Sequence, residues 1–277
     1  MVFDIEFISL KGSFASRFLG RKVSFRLVAP PNYRTSDMPF PVLLMNDGQD
    51  YKKMGLEGIL STAFTDNSIT PFIYVALETN ENRMHEYGTA CTADYKGRGE
   101  KANLYAKFIT EEFIPFLKKE FKVAHQKEAW VYCGMSLGGL SAFDTVFNHP
   151  HLFAKAAVFS GSFWWRKKAY TKKDPKDRSR IVLDMVKNGT YSPHLSFWFQ
   201  CGTLDEKADR NHSGIIDAIE DTTDLINELQ LKGYSPEKIT YVEMEGGKHD
   251  LPTWARIFPS FLQWAFGTPV VSETVRK

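Results

Sequence analysis

Residues 3–10 and 22–29 alternate apolar and polar positions, with Val23, Phe25 and Leu27 on one face of the second stretch. Such alternation predicts two half-buried strands, punctuated by Gly12, Gly20 and the Pro30-Pro31-Asn32-Tyr33 cluster. From residue 40 the pattern changes. Residues 40–45, 72–77, 129–133, 156–159, 196–200 and 239–244 are short, nearly continuous apolar runs, as expected of strands covered on both faces. Between them lie stretches with helical spacing at 54–64, 101–120, 137–148, 181–187, 215–231 and 252–266. In 101–120 the apolar positions are Leu104, Phe108, Phe113, Ile114 and Leu117. Strands alternating with helices predict an α/β fold with a mostly parallel central sheet and helices on both faces. The first two strands have no helix between them, so an antiparallel N-terminal edge is expected. No repeat or linker interrupts 1–277, which reads as one domain.

Composition adds limits. Hydrophobic residues make up 43% and charged residues 25%, and the net charge is +2 with no long basic run, so nucleic-acid binding is not expected. No apolar run reaches the ~20 residues of a membrane span, and residues 1–7 lack a signal-peptide core, so a cytoplasmic protein without membrane attachment is expected. Three cysteines, Cys91, Cys133 and Cys201, do not suggest a disulfide scaffold.

The chemistry concentrates where the strand at 129–133 meets the helix at 137–148. The junction reads Gly134-Met135-Ser136-Leu137-Gly138-Gly139, a Gly-x-Ser-x-Gly elbow that lifts a serine hydroxyl above a sheet edge at a helix N-terminus. A serine near neutral pH needs a base, and the base needs an orienting acid. Asp205 follows the strand at 196–200, and His249 lies in the loop after the strand at 239–244, behind Gly246 and Gly247. The order Ser136, Asp205, His249 is that of α/β hydrolases. Glu206, Asp209 and Asp250 are nearby rivals for the acid. The oxyanion donors expected are the backbone N–H groups of Leu137 and of Gln49, the latter in the loop after the strand at 40–45. Two further groups could line the pocket: the pair Trp164 and Trp165, and Arg83 from the long polar loop at 78–99. Core packing for a tryptophan and a surface place for Arg83 are the competing readings.

The motifs Met45-Asn46-Asp47-Gly48-Gln49, Gly134-Met135-Ser136-Leu137-Gly138-Gly139, Ser160-Gly161-Ser162-Phe163-Trp164-Trp165 and Gly247-Lys248-His249-Asp250-Leu251-Pro252-Thr253-Trp254 resemble those of the esterase D and enterochelin-esterase-like family of α/β hydrolases. The resemblance runs over about residues 20–266. It implies an α/β-hydrolase fold and serine-dependent hydrolysis of small carboxylic esters, including siderophore lactones, feruloyl or acetyl esters and S-formylglutathione, with no organic cofactor. The family's triad falls on Ser136, His249 and Asp205. Acyl transfer by the same triad, and a non-catalytic binding protein on this fold, are the alternatives. Asn46 and Asp50 flank the Asp-Gly-Gln core of the oxyanion loop and are expected to alter access to the site.

A second pattern lies beyond the acid. Residues 209–220 place oxygen-bearing side chains where a twelve-residue calcium loop needs them, at Asp209, Asn211, Ser213, Asp217 and Glu220, with the Ile215 carbonyl in place and Gly214 at the sharp turn. A structural calcium ion is one expectation. A plain helix start with Ser213 as N-cap is the other.

Overall fold

The computed structural model describes residues 8–174 and 177–268. The strands are β1 (Ile8–Ser16), β2 (Arg21–Ala29), β3 (Val42–Met45), β4 (Ile73–Leu77), β5 (Trp130–Met135), β6 (Lys155–Phe159), β7 (Ser196–Leu204) and β8 (Ile239–Lys248). They form one sheet in the order β1-β2-β4-β3-β5-β6-β7-β8. β1 pairs antiparallel with β2, and β2 antiparallel with β4. Every later pairing is parallel, so this is the α/β-hydrolase arrangement with an antiparallel N-terminal edge.

The helices are α1 (Leu56–Thr65), α2 (Arg83–Glu86), α3 (Ala102–Lys107), α4 (Ile114–Glu120), α5 (Ser136–Asn148), α6 (Ile181–Asn188), α7 (Asp217–Lys232) and α8 (Leu251–Phe266). One apolar layer joins α3 to α7 with one face of the sheet through Phe108, Leu140, Phe143, Phe199 and Leu225. The other joins α1 and α8 with the opposite face through Leu60, Met45, Trp198, Phe258 and Phe261. Central strands therefore bury both faces, which is why they read as apolar runs and not as alternations.

Three departures from the sequence reading have physical causes. The first strand was expected at 3–10. Residues 1–7 lie outside those described, and β1 runs on to Ser16 through Gly12, where a Cβ would come within 2.5 Å of the Phe25 ring on β2. That glycine serves cross-strand packing and not a turn. The helix expected over 101–120 is split by a π-helical stretch over Phe108–Phe113, ahead of Pro115 in the first turn of α4. Proline has no N–H to continue the ladder, and a wide turn absorbs the mismatch. Finally, β7 and β8 both extend four residues past their expected ends, carrying the acid and the base segments with them.

Candidate active site

β5 ends at Met135, and α5 starts at Ser136 with φ of 52°, a left-handed conformation that costs a non-glycine residue strain. The flanking glycines make room. A Cβ at Gly134 would strike the Gly138 carbonyl, and one at Gly138 would lie 2.5 Å from Asp47 Oδ2. The hydroxyl is thus held at the first turn of a helix, where the Leu137 N–H has no partner within the helix.

The loop after β3 is fastened to that turn. Asn46 is fully buried: its Nδ2 donates to the Gly138 carbonyl at 2.8 Å, and its Oδ1 accepts from the Tyr105 and Tyr132 hydroxyls at 2.8 and 2.7 Å. Asn46 therefore locks the loop and does not line an entrance, whereas Asp50 sits on the surface beside Lys53. Asp47 is also left-handed (φ 60°) and buried. Its carboxylate takes a forked pair from Arg83, Nε at 2.7 Å and Nη2 at 2.8 Å, and a bond from the Thr79 hydroxyl at 3.2 Å. A 3-10 turn over Gly48–Asp50 closes Asp50 and Tyr51 back onto Asp47 and Gly48, leaving the Gln49 N–H, one step earlier, outside that turn. The Gln49 side chain is anchored instead, its Oε1 accepting from the Thr79 N–H at 3.1 Å.

Asp205 and His249 come near one another because their strands are paired. β7 and β8 are paired beyond Gly202, with a register shift that sets Leu204 opposite Lys248. The backbones touch at Gly202 and Gly247, and any Cβ on Gly202 would overlap the Gly247 carbonyl. Asp205 and His249 leave the sheet immediately after this crossing. Both Asp205 oxygens are buried and make no hydrogen bond of full geometry. Burial raises the Asp205 pKa, opposed by the Ser160 hydroxyl, the Gly202 backbone and His249. Burial lowers that of His249. Nearby Arg83 lowers it further, while Asp205 and Asp250 oppose the shift. The imidazole stands edge-on to Trp254, with ring centres 5.2 Å apart. No hydrogen bond joins His249 to Ser136 or Asp205. The Ser136 Oγ lies 3.3 Å from the Ser162 Oγ instead. Such contacts are commonly long in ligand-free sites and tighten on substrate binding.

The rival acids have other partners. Asp250 is the N-cap of α8, accepting the Thr253 N–H at 2.9 Å, and Asp209 accepts the N–H groups of Ser213 and Gly214. Glu206 is pushed up by burial, then by Asp217. Among the other histidines, His85 pairs with Glu100, His149 with the Thr145 carbonyl and His194 with the Pro150 carbonyl.

The two tryptophans part company. Trp165 is wholly enclosed against Gly88 and Gly99. Trp164 is half-buried, and the Arg98 guanidinium spreads over both rings at 4.9 and 5.0 Å, held from behind by buried Asp94. The loop at 78–99 thus reaches Asp47 through Arg83 and braces Trp164 and Trp165 through Arg98. Asp47 and Ser162 were not singled out as site residues by sequence reasoning, and Asn46 was read as altering access and not as a lock. Their one signal was membership in the motifs around Gly48 and Trp164.

In the 209–220 segment, the Asp209 and Asn211 carboxyl and carbonyl oxygens accept backbone N–H groups, and Ser213 Oγ accepts the Ile215 N–H. Asp217 and Glu220 turn to Arg210: the Arg210 N–H donates to Asp217 at 2.8 Å, and its guanidinium lies 3.3 Å from Asp217 and 3.7 Å from Glu220. Glu220 also accepts from Asn211 Nδ2 at 2.6 Å. Among the described residues no group of three or more His, Cys, Asp and Glu is arranged to hold a metal ion. No helix among them is long and apolar enough to cross a membrane.

Comparison with known proteins bears on the family and the fold. A family profile described as "Putative esterase" matches residues 16–265. The uncharacterized protein YbbA of Bacillus subtilis (strain 168) is 25% identical over 262 residues, covering 93% of this chain and 98% of YbbA. A ferulic acid esterase superposes with a TM-score of 0.72 at 15% identity, over 95% of this chain and 99% of that one. The enterobactin esterase FES of Shigella flexneri superposes with a TM-score of 0.73 at 18% identity, over 93% of this chain but 58% of its own length. At these identities the two solved structures are alike in fold.

Proposed function

This chain belongs to the esterase family and is a carboxylic ester hydrolase, and from that premise we infer that it works through an acyl-enzyme formed on Ser136. Ser136 Oγ attacks the ester carbonyl while His249 takes its proton. Asp205 holds the imidazole in one tautomer and stabilises its charged form. The N–H groups of Leu137 and Gln49 receive the oxyanion. His249 returns the proton to the leaving alkoxide, and water, activated by the same imidazole, releases the acid. No organic cofactor is needed for these steps.

The observation that carries this reading is the strained, left-handed Ser136 at the β5–α5 elbow, together with His249 and Asp205, which leave neighbouring strands close enough to act on one another's charge. Strain of that kind persists where surrounding structure enforces it, and here the close packing at Gly134 and Gly138 and the Asn46 hydrogen bond to Gly138 do so. For the substrate, the half-buried Trp164 under Arg98 supports an ester bearing a planar aromatic group, such as a feruloyl ester or a catechol-containing siderophore lactone.

Hydrolysis of p-nitrophenyl acetate, with covalent labelling by a fluorophosphonate, tests the mechanism. Wild type is expected to turn over and to be labelled, and Ser136→Ala to do neither while keeping its thermal unfolding transition. A wild-type protein inert to both reagents would overturn the reading. Feruloyl sugars, catechol trilactones, acetylated sugars and S-formylglutathione, compared by kcat/KM, identify the ester; preference for the acetyl or formyl compounds would remove the aromatic assignment.

A further inference from the structure

The triad leaves two buried serines unexplained. Both lie in the turn after β6, at Ser160 and Ser162, and each adjoins a different end of the catalytic line. The Ser162 N–H donates to the Ser136 carbonyl at 3.2 Å, and its Oγ is 3.3 Å from the Ser136 Oγ, the one side-chain hydrogen bond of that hydroxyl among the described residues. Ser160 is held in a left-handed conformation (φ 47°), with its N–H donating to the Gln200 carbonyl at 2.7 Å. Its Oγ accepts the Trp254 indole N–H at 2.9 Å. A hydroxyl that already accepts from an indole turns its own proton elsewhere. The carboxyl that it acts on is Asp205, whose oxygens are buried and make no hydrogen bond of full geometry, to Ser160 or to any other described residue. Between the serines, Gly161 has no room for a side chain: a Cβ would meet the Phe163 ring at 2.6 Å and Val158 at 2.7 Å. The turn is therefore packed from both sides.

We propose that the Ser160-Gly161-Ser162 turn positions both ends of the triad, Ser162 by holding the nucleophile oxygen and Ser160 by donating to Asp205 under the control of Trp254. This rests on the assignment of Ser136, His249 and Asp205 as the triad. With Ser162 donating to Ser136 Oγ, the Ser136 proton is directed to His249, and negative charge developing on Oγ during attack keeps a donor. Trp254 couples the two halves, since the same indole that orients Ser160 also stands against the His249 ring.

Ser162→Ala, Ser162→Thr, Ser160→Ala and Ser160→Gly, assayed with p-nitrophenyl acetate and a fluorophosphonate beside wild type, test the proposal. Ser162→Ala is expected to lower kcat and the labelling rate by about tenfold with KM little changed, the scale of one hydrogen bond to a reacting atom. Ser162→Thr, which keeps the hydroxyl, is expected to recover part of the loss, which a packing defect would not do. Ser160→Ala is expected to move the acid limb of kcat/KM to higher pH, because the ionised Asp205 loses a donor while His249, Asp250 and Cys201, the other groups acting on it, are unchanged. Ser160→Gly relieves the left-handed strain but also lacks the hydroxyl, so it should shift the limb equally. A wild-type limb in Ser160→Gly, or wild-type kcat and labelling in Ser162→Ala, would overturn the proposal and leave the triad standing. An inert, unlabelled wild type would remove both.

Discussion

Individual residues set the protonation states at the site. On the proposed mechanism His249 must be neutral to accept a proton; desolvation, with the Arg83 cation, holds its pKa below the ordinary 6.5, against the pull of Asp205 and Asp250. A base with a lowered pKa stays neutral to lower pH. The acid limb of kcat/KM is therefore expected below 6.5 in wild type. Arg83→Gln should move it upward, because the substitution removes a nearby cation and also frees the Asp47 carboxylate that it neutralises. A pH–rate profile with a neutral ester checks both, and a limb unmoved by Arg83→Gln would contradict the stated cause. Ser136 and its elbow were legible in the chain because local sterics dictate them: glycines two residues before and after the serine are needed wherever a strand turns so tightly into a helix. Asn46 was not legible as a lock. Its role consists of three hydrogen bonds to residues 59, 86 and 92 positions away.

At the scale of elements, the 209–220 segment shows how a pattern of oxygens can serve another cation. Arg210 is nearly enclosed, with Asp217, Asp221, Glu220 and Asp177 around its guanidinium. Asp221 is shared with buried Arg180, which also reaches Asp224 at 2.5 Å. The positive charge that a calcium loop would take from a metal is supplied here by the chain. Millimolar calcium is accordingly expected to leave the melting temperature unchanged. Arg210→Ala is expected to destabilise by roughly 1–3 kcal/mol in urea unfolding, since it takes one of two arginine partners from each of the buried Asp221 and Asp177. Stabilisation by calcium would revive the metal reading. A sequence motif records which side chains carry oxygen but not where those oxygens point. The same limit hid the extension of β7 and β8: Gly246 and Gly247 read as a loop, yet Gly247 lies in the ladder because Gly202 opposite leaves space for its backbone.

For the whole molecule, α5 ties the nucleophile to the loop at 78–99 through Asp144. This buried carboxyl accepts the Ala90 N–H at 3.1 Å and the Asn148 side-chain amide at 3.2 Å, with Cys91 nearby. Burial raises its pKa from 3.8 to about 7. Between those values the unfolded chain has released the proton and the folded chain keeps it, so stability falls as pH rises through that window. Asp144→Asn lacks the effect. Its stability relative to wild type should grow by about 1.4 kcal/mol per pH unit across the window and then level off, as read from urea midpoints. A flat difference would show that Asp144 ionises freely. Local sequence alone determined the alternation of strands and helices, the elbow at Ser136 and the chain order of serine, acid and histidine, because each depends on neighbours a few residues away or on the period of a covered strand. Only the tertiary structure decided that Trp165 is enclosed while Trp164 stays half-exposed, that Arg210 occupies the centre of the acidic loop, and that Ser160 and Ser162 adjoin the two ends of the triad. Those outcomes depend on side-chain contacts between residues from 7 to 94 positions apart, whose geometry follows from sheet order and packing and not from the pattern of residue types.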